Sequence, residues 1–133
     1  MSVPSFCNTY RILIVEDEAR LAAFIEKGLC RQGLTTAIAA DGEQAIQMAL
    51  SDKFDLMLLD LGLPILDGLT VLRTLRHQHQ VSFPIIVVSA LDDSHKVDAV
   101  MAAGANDYVT KPFRFHDLWA KIQHRLNLPT TSD

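Results

Sequence analysis

The sequence predicts an α/β fold: a doubly wound parallel sheet of five strands wrapped by helices on both faces. Three observations carry this prediction. Continuous apolar runs recur at Ile12-Leu13-Ile14-Val15, Leu56-Met57-Leu58-Leu59 and Ile85-Ile86-Val87-Val88, as expected of strands buried on both sides rather than strands with one wet face. Stretches with helical spacing separate these runs, and such alternation implies parallel strands joined by right-handed crossovers. Each run also breaks into a polar residue at its carboxyl end, at Glu16, Asp60 and Ser89.

In chain order, the first run is followed by Leu21, Phe24, Ile25 and Leu29, spaced as one helical face, with Gly33 as the stop. Thr35 to Ala39 is a weaker strand, and Asp41-Gly42 suits a turn or a helix cap before the next helical face at Ala45, Met48 and Ala49. The Asp60 strand ends before Pro64, which cannot donate to a sheet ladder. Asp67-Gly68 then opens a helix with Leu69, Leu72 and Leu75 inward, and Arg73, Arg76 and His77 read as its wet face. His77 to Phe83 is a polar connection to the fourth strand. A helix carrying Val97, Val100 and Met101 stops near Gly104, and Tyr108-Val109-Thr110 is a short fifth strand. The last helix carries Leu118, Ile122 and Leu126, with Pro129 marking its end.

A chain of 133 residues, 49% apolar and 21% charged, suits one soluble domain with one core. Its boundaries are expected at an N-terminal extension over residues 1–10, the domain over 11–128, and a tail or linker over 129–133. A net charge of −4 argues against a nucleic-acid surface, which needs clustered Lys and Arg. Cys7 and Cys30 form no C-x-x-C and read as reduced thiols. No signal-peptide pattern and no membrane-spanning apolar stretch is present, so a cytoplasmic location with no membrane contact is expected. His77, His79, His95, His116 and His124 are scattered and form no metal set, while Trp119 reads as packing.

The chemistry emerges from the strand ends. In open parallel sheets ligands bind outside the carboxyl ends of the strands. Glu16-Asp17, Asp60, Ser89 and Lys111 all fall there, and neighbouring strands would bring them into one crevice. Crowded carboxylates repel, and a hard dication such as Mg2+, which takes oxygen ligands, removes that cost. Lys111 supplies a point charge for a phosphate oxygen and Ser89 a hydroxyl. Together these are the parts needed to accept and hold a phosphoryl group.

With these residues in place, the chain resembles the receiver domain of two-component response regulators. The matching segments are residues 12–18, Asp60-Leu61-Gly62-Leu63-Pro64 with Asp67-Gly68, Val88-Ser89-Ala90, and residues 104–108 through Lys111-Pro112-Phe113. The resemblance implies a flavodoxin-like sheet of order 2-1-3-4-5. It implies that Asp60 takes a phosphoryl group from a phosphohistidine on a sensor histidine kinase. Magnesium would be held by Asp17, Asp60 and the Gly62 carbonyl, with Glu16 acting through water. Lys111 would pair with phosphoryl oxygens, its bond to Pro112 being cis. Ser89 and Tyr108 would act as the switch, although Tyr108 by itself could be core filling. The output would be the face of the fourth helix, fifth strand and last helix, offered to an effector domain or a second copy. The resemblance is to a phosphorylatable signalling domain rather than an enzyme, with at most self-catalysed phosphoryl transfer and autodephosphorylation.

The segment 60–68 further resembles the winged-helix DNA-binding subfamily, whose receivers carry reciprocal charges on that face. Val97, Ala102 and Asn106 stand where some of those charges are expected, which argues against that subfamily's dimer. Gly62 leaves no side chain over the pocket. A haloacid-dehalogenase-type phosphohydrolase would need an acid where Gly62 stands, and a flavodoxin-like electron carrier would need a phosphate loop where Glu16-Asp17 stand. A degenerate receiver serving only for docking would lack some of the five chemical positions, and all are filled.

Overall fold

A computed structural model describes residues 9–90 and 94–129. Cys7, the side chain of His95, most of the N-terminal extension and the tail from residue 130 lie outside the described residues. The elements alternate without exception: β1 (Arg11–Val15), α1 (Ala19–Arg31), β2 (Thr35–Ala39), α2 (Gly42–Ser51), β3 (Leu56–Asp60), α3 (Gly68–Arg73), β4 (Ile85–Ser89), α4 (Ser94–Ala102), β5 (Asp107–Thr110) and α5 (Phe115–Leu126). The five strands form one sheet in the order β2-β1-β3-β4-β5, every pair parallel.

Because side chains alternate along a strand, the sheet feeds two cores. On one face Leu13, Met57, Leu59 and Val87 pack with Ala45 of α2, Val71 of α3 and Val100 of α4. On the other Ile12, Leu58, Ile86 and Val109 pack with Ile25 of α1 and with Leu118, Trp119 and Ile122 of α5. All five residues of β3 and all five of β4 are buried, which explains their unbroken apolar sequence.

Local chemistry fixes the helix ends. The Asp41 side chain accepts the Gln44 N–H at 2.8 Å and the Asp67 side chain accepts the Thr70 N–H at 3.0 Å, so each caps a helix start. Gly33 adopts φ 89° after α1, and the Leu34 N–H reaches back to the Leu29 carbonyl, closing the helix. Asn127, in the left-handed region, ends α5 two residues before Pro129.

Three expectations need correction. Phe24 does not join the core with Leu21 and Ile25; it is 52% exposed, with its ring edge-on to Phe115. The helix begun at Gly68 runs on as a π-helical turn over Thr74–Gln78, so the connection expected from His77 begins only after Gln78. Arg76 is not on a wet face. It is half-buried and donates to the carbonyls of Gly104, Val81 and Phe83 and to Asn106 Oδ1, at 2.7–2.9 Å. The wider π turn shifts the register of side chains around the helix, and Arg76 lies over the connections that lead into β4 and into β5.

Candidate functional site

The carboxyl ends of β3, β4 and β5 meet in a cleft of about 620 Å³, lined by Asp60, Gly62, Asp67, Ser89, Val100 and Lys111 among others, and the acids that follow β1 stand beside Asp60. Parallel register explains the convergence. Asp60 pairs with Val88 one residue before Ser89, and Ser89 pairs with Thr110 one residue before Lys111. The Lys111 N–H donates to the Ser89 carbonyl at 2.8 Å, which fixes where the lysine leaves the sheet. The peptide bond from Lys111 to Pro112 is cis.

Close approach of α3 shapes the floor. A Cβ at Gly68 would collide with the Asp60 carbonyl, so only glycine lets α3 start this near the end of β3. Gly62 faces open space, and its N–H donates to Asp60 Oδ1 at 3.2 Å.

Glu16, Asp17 and Asp60 each offer a carboxylate oxygen within 4.8 Å of the others. Glu16 and Asp60 are only 4% and 6% exposed, while Asp17 is open to solvent. The Lys111 ammonium lies 2.9 Å from Glu16 Oε1 and 3.5 Å from Asp60 Oδ2. Burial pushes the Glu16 carboxyl above its ordinary range and the negative Asp60 adds to this, against the opposing pull of Lys111 and the Glu18 N–H. Burial works against the charge on Lys111, yet the hydrogen bonds and fields of Glu16 and Asp60 outweigh it and raise its pKa.

Every residue singled out from sequence at the strand ends is therefore found here. Ser89 is buried at the end of β4. Tyr108 is half-buried on β5, packed against the core beneath α2, α3 and α4 rather than lining the cleft. The cleft also has members not singled out in sequence as site residues. Asp67, noted in sequence only as opening a helix and as part of the receiver-like motif, lines it as well, together with the apolar Leu61, Leu69 and Val100. The signal for Asp67 was its position just ahead of a helix in the loop that follows Asp60.

Three carboxylates clustered beside an ammonium at the strand ends of a parallel α/β domain form a set of oxygen atoms that could hold a cation. Residues 12–123 match the family described as the response regulator receiver domain, and the chain belongs to that family. It is 43% identical over 116 residues to response regulator ArlR of Staphylococcus saprophyticus, covering 87% of this chain and 52% of the relative. The ArlR of Staphylococcus aureus is 41% identical over 113 residues, covering 85% of this chain and 51% of that one. The chain thus spans about half the length of the curated relatives it matches. Among solved structures it resembles a Francisella response regulator receiver domain, with TM-score 0.85 and 29% identity over 90% of this chain and 98% of that one. It also resembles the receiver domain of a Pseudomonas aeruginosa sensor histidine kinase, solved with magnesium coordinated in its active-site cleft, with TM-score 0.81 and 32% identity over 90% and 99% of the two chains. Among the described residues no helix is long and apolar enough to cross a membrane.

Proposed function

We propose that this receiver domain takes a phosphoryl group onto Asp60 from a phosphohistidine on a sensor histidine kinase and passes the signal to an output partner. The observation that carries this is the clustering of Glu16, Asp17 and Asp60 within 4.8 Å, with Lys111 between Glu16 and Asp60. An Asp60 oxygen attacks phosphorus, the bond from phosphorus to the imidazole nitrogen breaks, and an acyl phosphate forms. Catalysis here is positioning and charge neutralisation.

The donor set fits magnesium: all oxygen, with two acids nearly buried and one open to water. Asp17, Asp60 and the Gly62 carbonyl would hold it, with Glu16 acting through water, and when bound it would neutralise the acids and the phosphoryl oxygens. Lys111 exchanges its acid partners for a phosphoryl oxygen. Ser89 gives the new group a hydroxyl, and Tyr108 follows it inward. Coupling on the order of 1–3 kcal/mol shifts a pre-existing equilibrium toward the active form.

The output face is that of α4, β5 and α5, presented to an effector domain or to a second copy. Asp107 of β5 is held there by Arg125 at 2.6 Å and faces Lys121 at 3.8 Å. The site of action is the cytoplasm. Incubation with magnesium and phosphoramidate should add the mass of one phosphoryl group to the intact chain. The Asp60→Asn variant should keep the circular dichroism of the parent and take up nothing, and unchanged labelling of that variant would refute the assignment.

A further inference from the structure

Helix α1 carries a glycine in its last turn that the backbone does not ask for. Gly28 has no left-handed φ, unlike Gly33 and Gly104, and glycine is a weak helix former. The space around it supplies the reason. A Cβ on residue 28 would collide with the ring of Phe115, so the first residue of α5 lies against the bare backbone of α1. The ring is held on two further sides, edge-on to Phe24 with centroids 6.2 Å apart and stacked on Trp119 at 6.5 Å. These contacts stand where a cap would: Arg114, which precedes α5, makes no side-chain hydrogen bond to the helix start.

Phe115 stands four residues after Lys111. The Lys111 N–H is fixed to the Ser89 carbonyl at 2.8 Å, and the short connection that follows must run to wherever α5 begins. The seat of Phe115 therefore sets the direction in which the chain leaves Lys111. The Lys111 ammonium lies 2.9 Å from Glu16 and 3.5 Å from Asp60, both nearly buried. A misplacement of about 1 Å in such an aligned group costs on the order of a hundredfold in rate. We infer that Gly28 and Phe115 are positioning residues for phosphoryl transfer: the ring seated on the glycine places the start of α5 and, through it, the Lys111 ammonium. Neither residue lines the Asp60 cleft, so both act through the lysine. The inference rests on the proposed roles of Asp60 and Lys111.

The test uses the full chain with magnesium and phosphoramidate, which needs no partner protein. Gly28→Ala should keep the circular dichroism of the parent, and its second-order rate constant for labelling should fall about fivefold or more. Exchanging size across the contact, in Gly28→Ala with Phe115→Leu, should return the rate to within about twofold of the parent. Nuclear magnetic resonance supplies the readout that packing by itself would not move. The carbon-13 signal of Lys111 Cε, identified by its loss in Lys111→Met, should shift toward that of exposed lysines in Gly28→Ala and return in the double variant. Labelling of Gly28→Ala at the parental rate would overturn the inference. So would a loss of rate with the Lys111 signal unmoved, or a loss that Phe115→Leu does not relieve. If Gly28→Ala does not fold, Phe115→Ala, which empties the seat without a collision, must show the same loss and the same shift, and a parental rate there overturns the inference equally. Failure of the parent to be labelled would instead strike the reading of Asp60 on which the inference rests.

Discussion

Lys111 and Glu16 are joined at 2.9 Å, a closer pairing than the 3.5 Å that separates Lys111 from Asp60. The lysine is therefore held by the neighbouring acid, while Asp60 receives the Gly62 N–H on its other oxygen. Phosphorylation, on the proposed function, is an exchange of partners around one ammonium rather than the arrival of a charge into empty space.

Glu16 works against stability. Its folded-state pKa is raised above 4.5, chiefly by burial, so the folded chain binds that proton more tightly than the unfolded chain. Its contribution to stability therefore falls as pH rises from about 4.5 through the folded value. Glu16→Gln should abolish that pH dependence and raise the urea midpoint at neutral pH without divalent cations. On the proposed function, in which Glu16 reaches magnesium through water, the same change should weaken magnesium binding by about tenfold or more. Urea titrations across this pH range with and without magnesium provide the check, and a variant no more stable than the parent would contradict it.

Lys111 contributes in the opposite sense. Its folded pKa lies above 10.5, so the stability it supplies is fully present below that value and is lost as pH rises through the folded one. Lys111→Met leaves two nearly buried carboxylates facing each other, at an expected cost of about 1–3 kcal/mol. Magnesium should recover part of this stability without restoring phosphate uptake. Equilibrium unfolding followed with and without the ion separates the structural role from the chemical one.

Arg76 is a structural cation whose charge is met only by neutral oxygens. Burial lowers its pKa, and among the described residues no carboxylate forms an ion pair with it. Arg76→Met strands the carbonyls of Gly104, Val81 and Phe83 and should cost about 3 kcal/mol or more. Asn106→Asp should do the reverse. Its oxygen already accepts from Arg76 at 2.7 Å and from the Ile85 N–H at 2.8 Å, so a carboxylate there adds an ion pair without moving an atom. A gain of about 1 kcal/mol in urea unfolding is expected, and a loss would show that the neighbouring Asp107 dominates.

The strand ends were legible because position along a strand is a local property. Four apolar residues followed by Asp60 announce both a buried strand and its exit, whatever the rest of the chain does. The caps at Asp41 and Asp67 were legible for the same reason, since a side chain bonding three residues ahead needs no tertiary partner. Arg76 was misread because a helical wheel assumes one period, and the π turn at Thr74–Gln78 departs from it. Phe24 was misread because its place on the wheel lies beside the core without lying over it. The φ of 71° at Ile65 was hidden because nothing in Pro64-Ile65-Leu66 by itself demands a positive value.

By itself, the sequence determined the order of elements, the apolar faces that bury them and the set of polar groups placed at strand ends. These follow from periodicity and turn chemistry, which act over a few residues. Only the tertiary structure decided which groups meet: that Lys111 rests on Glu16 before Asp60, that Arg76 reaches Gly104 and Asn106 some thirty residues on, and that Ile65 is left bare. The reason is that such pairings depend on sheet register and helix packing, set by the whole core at once.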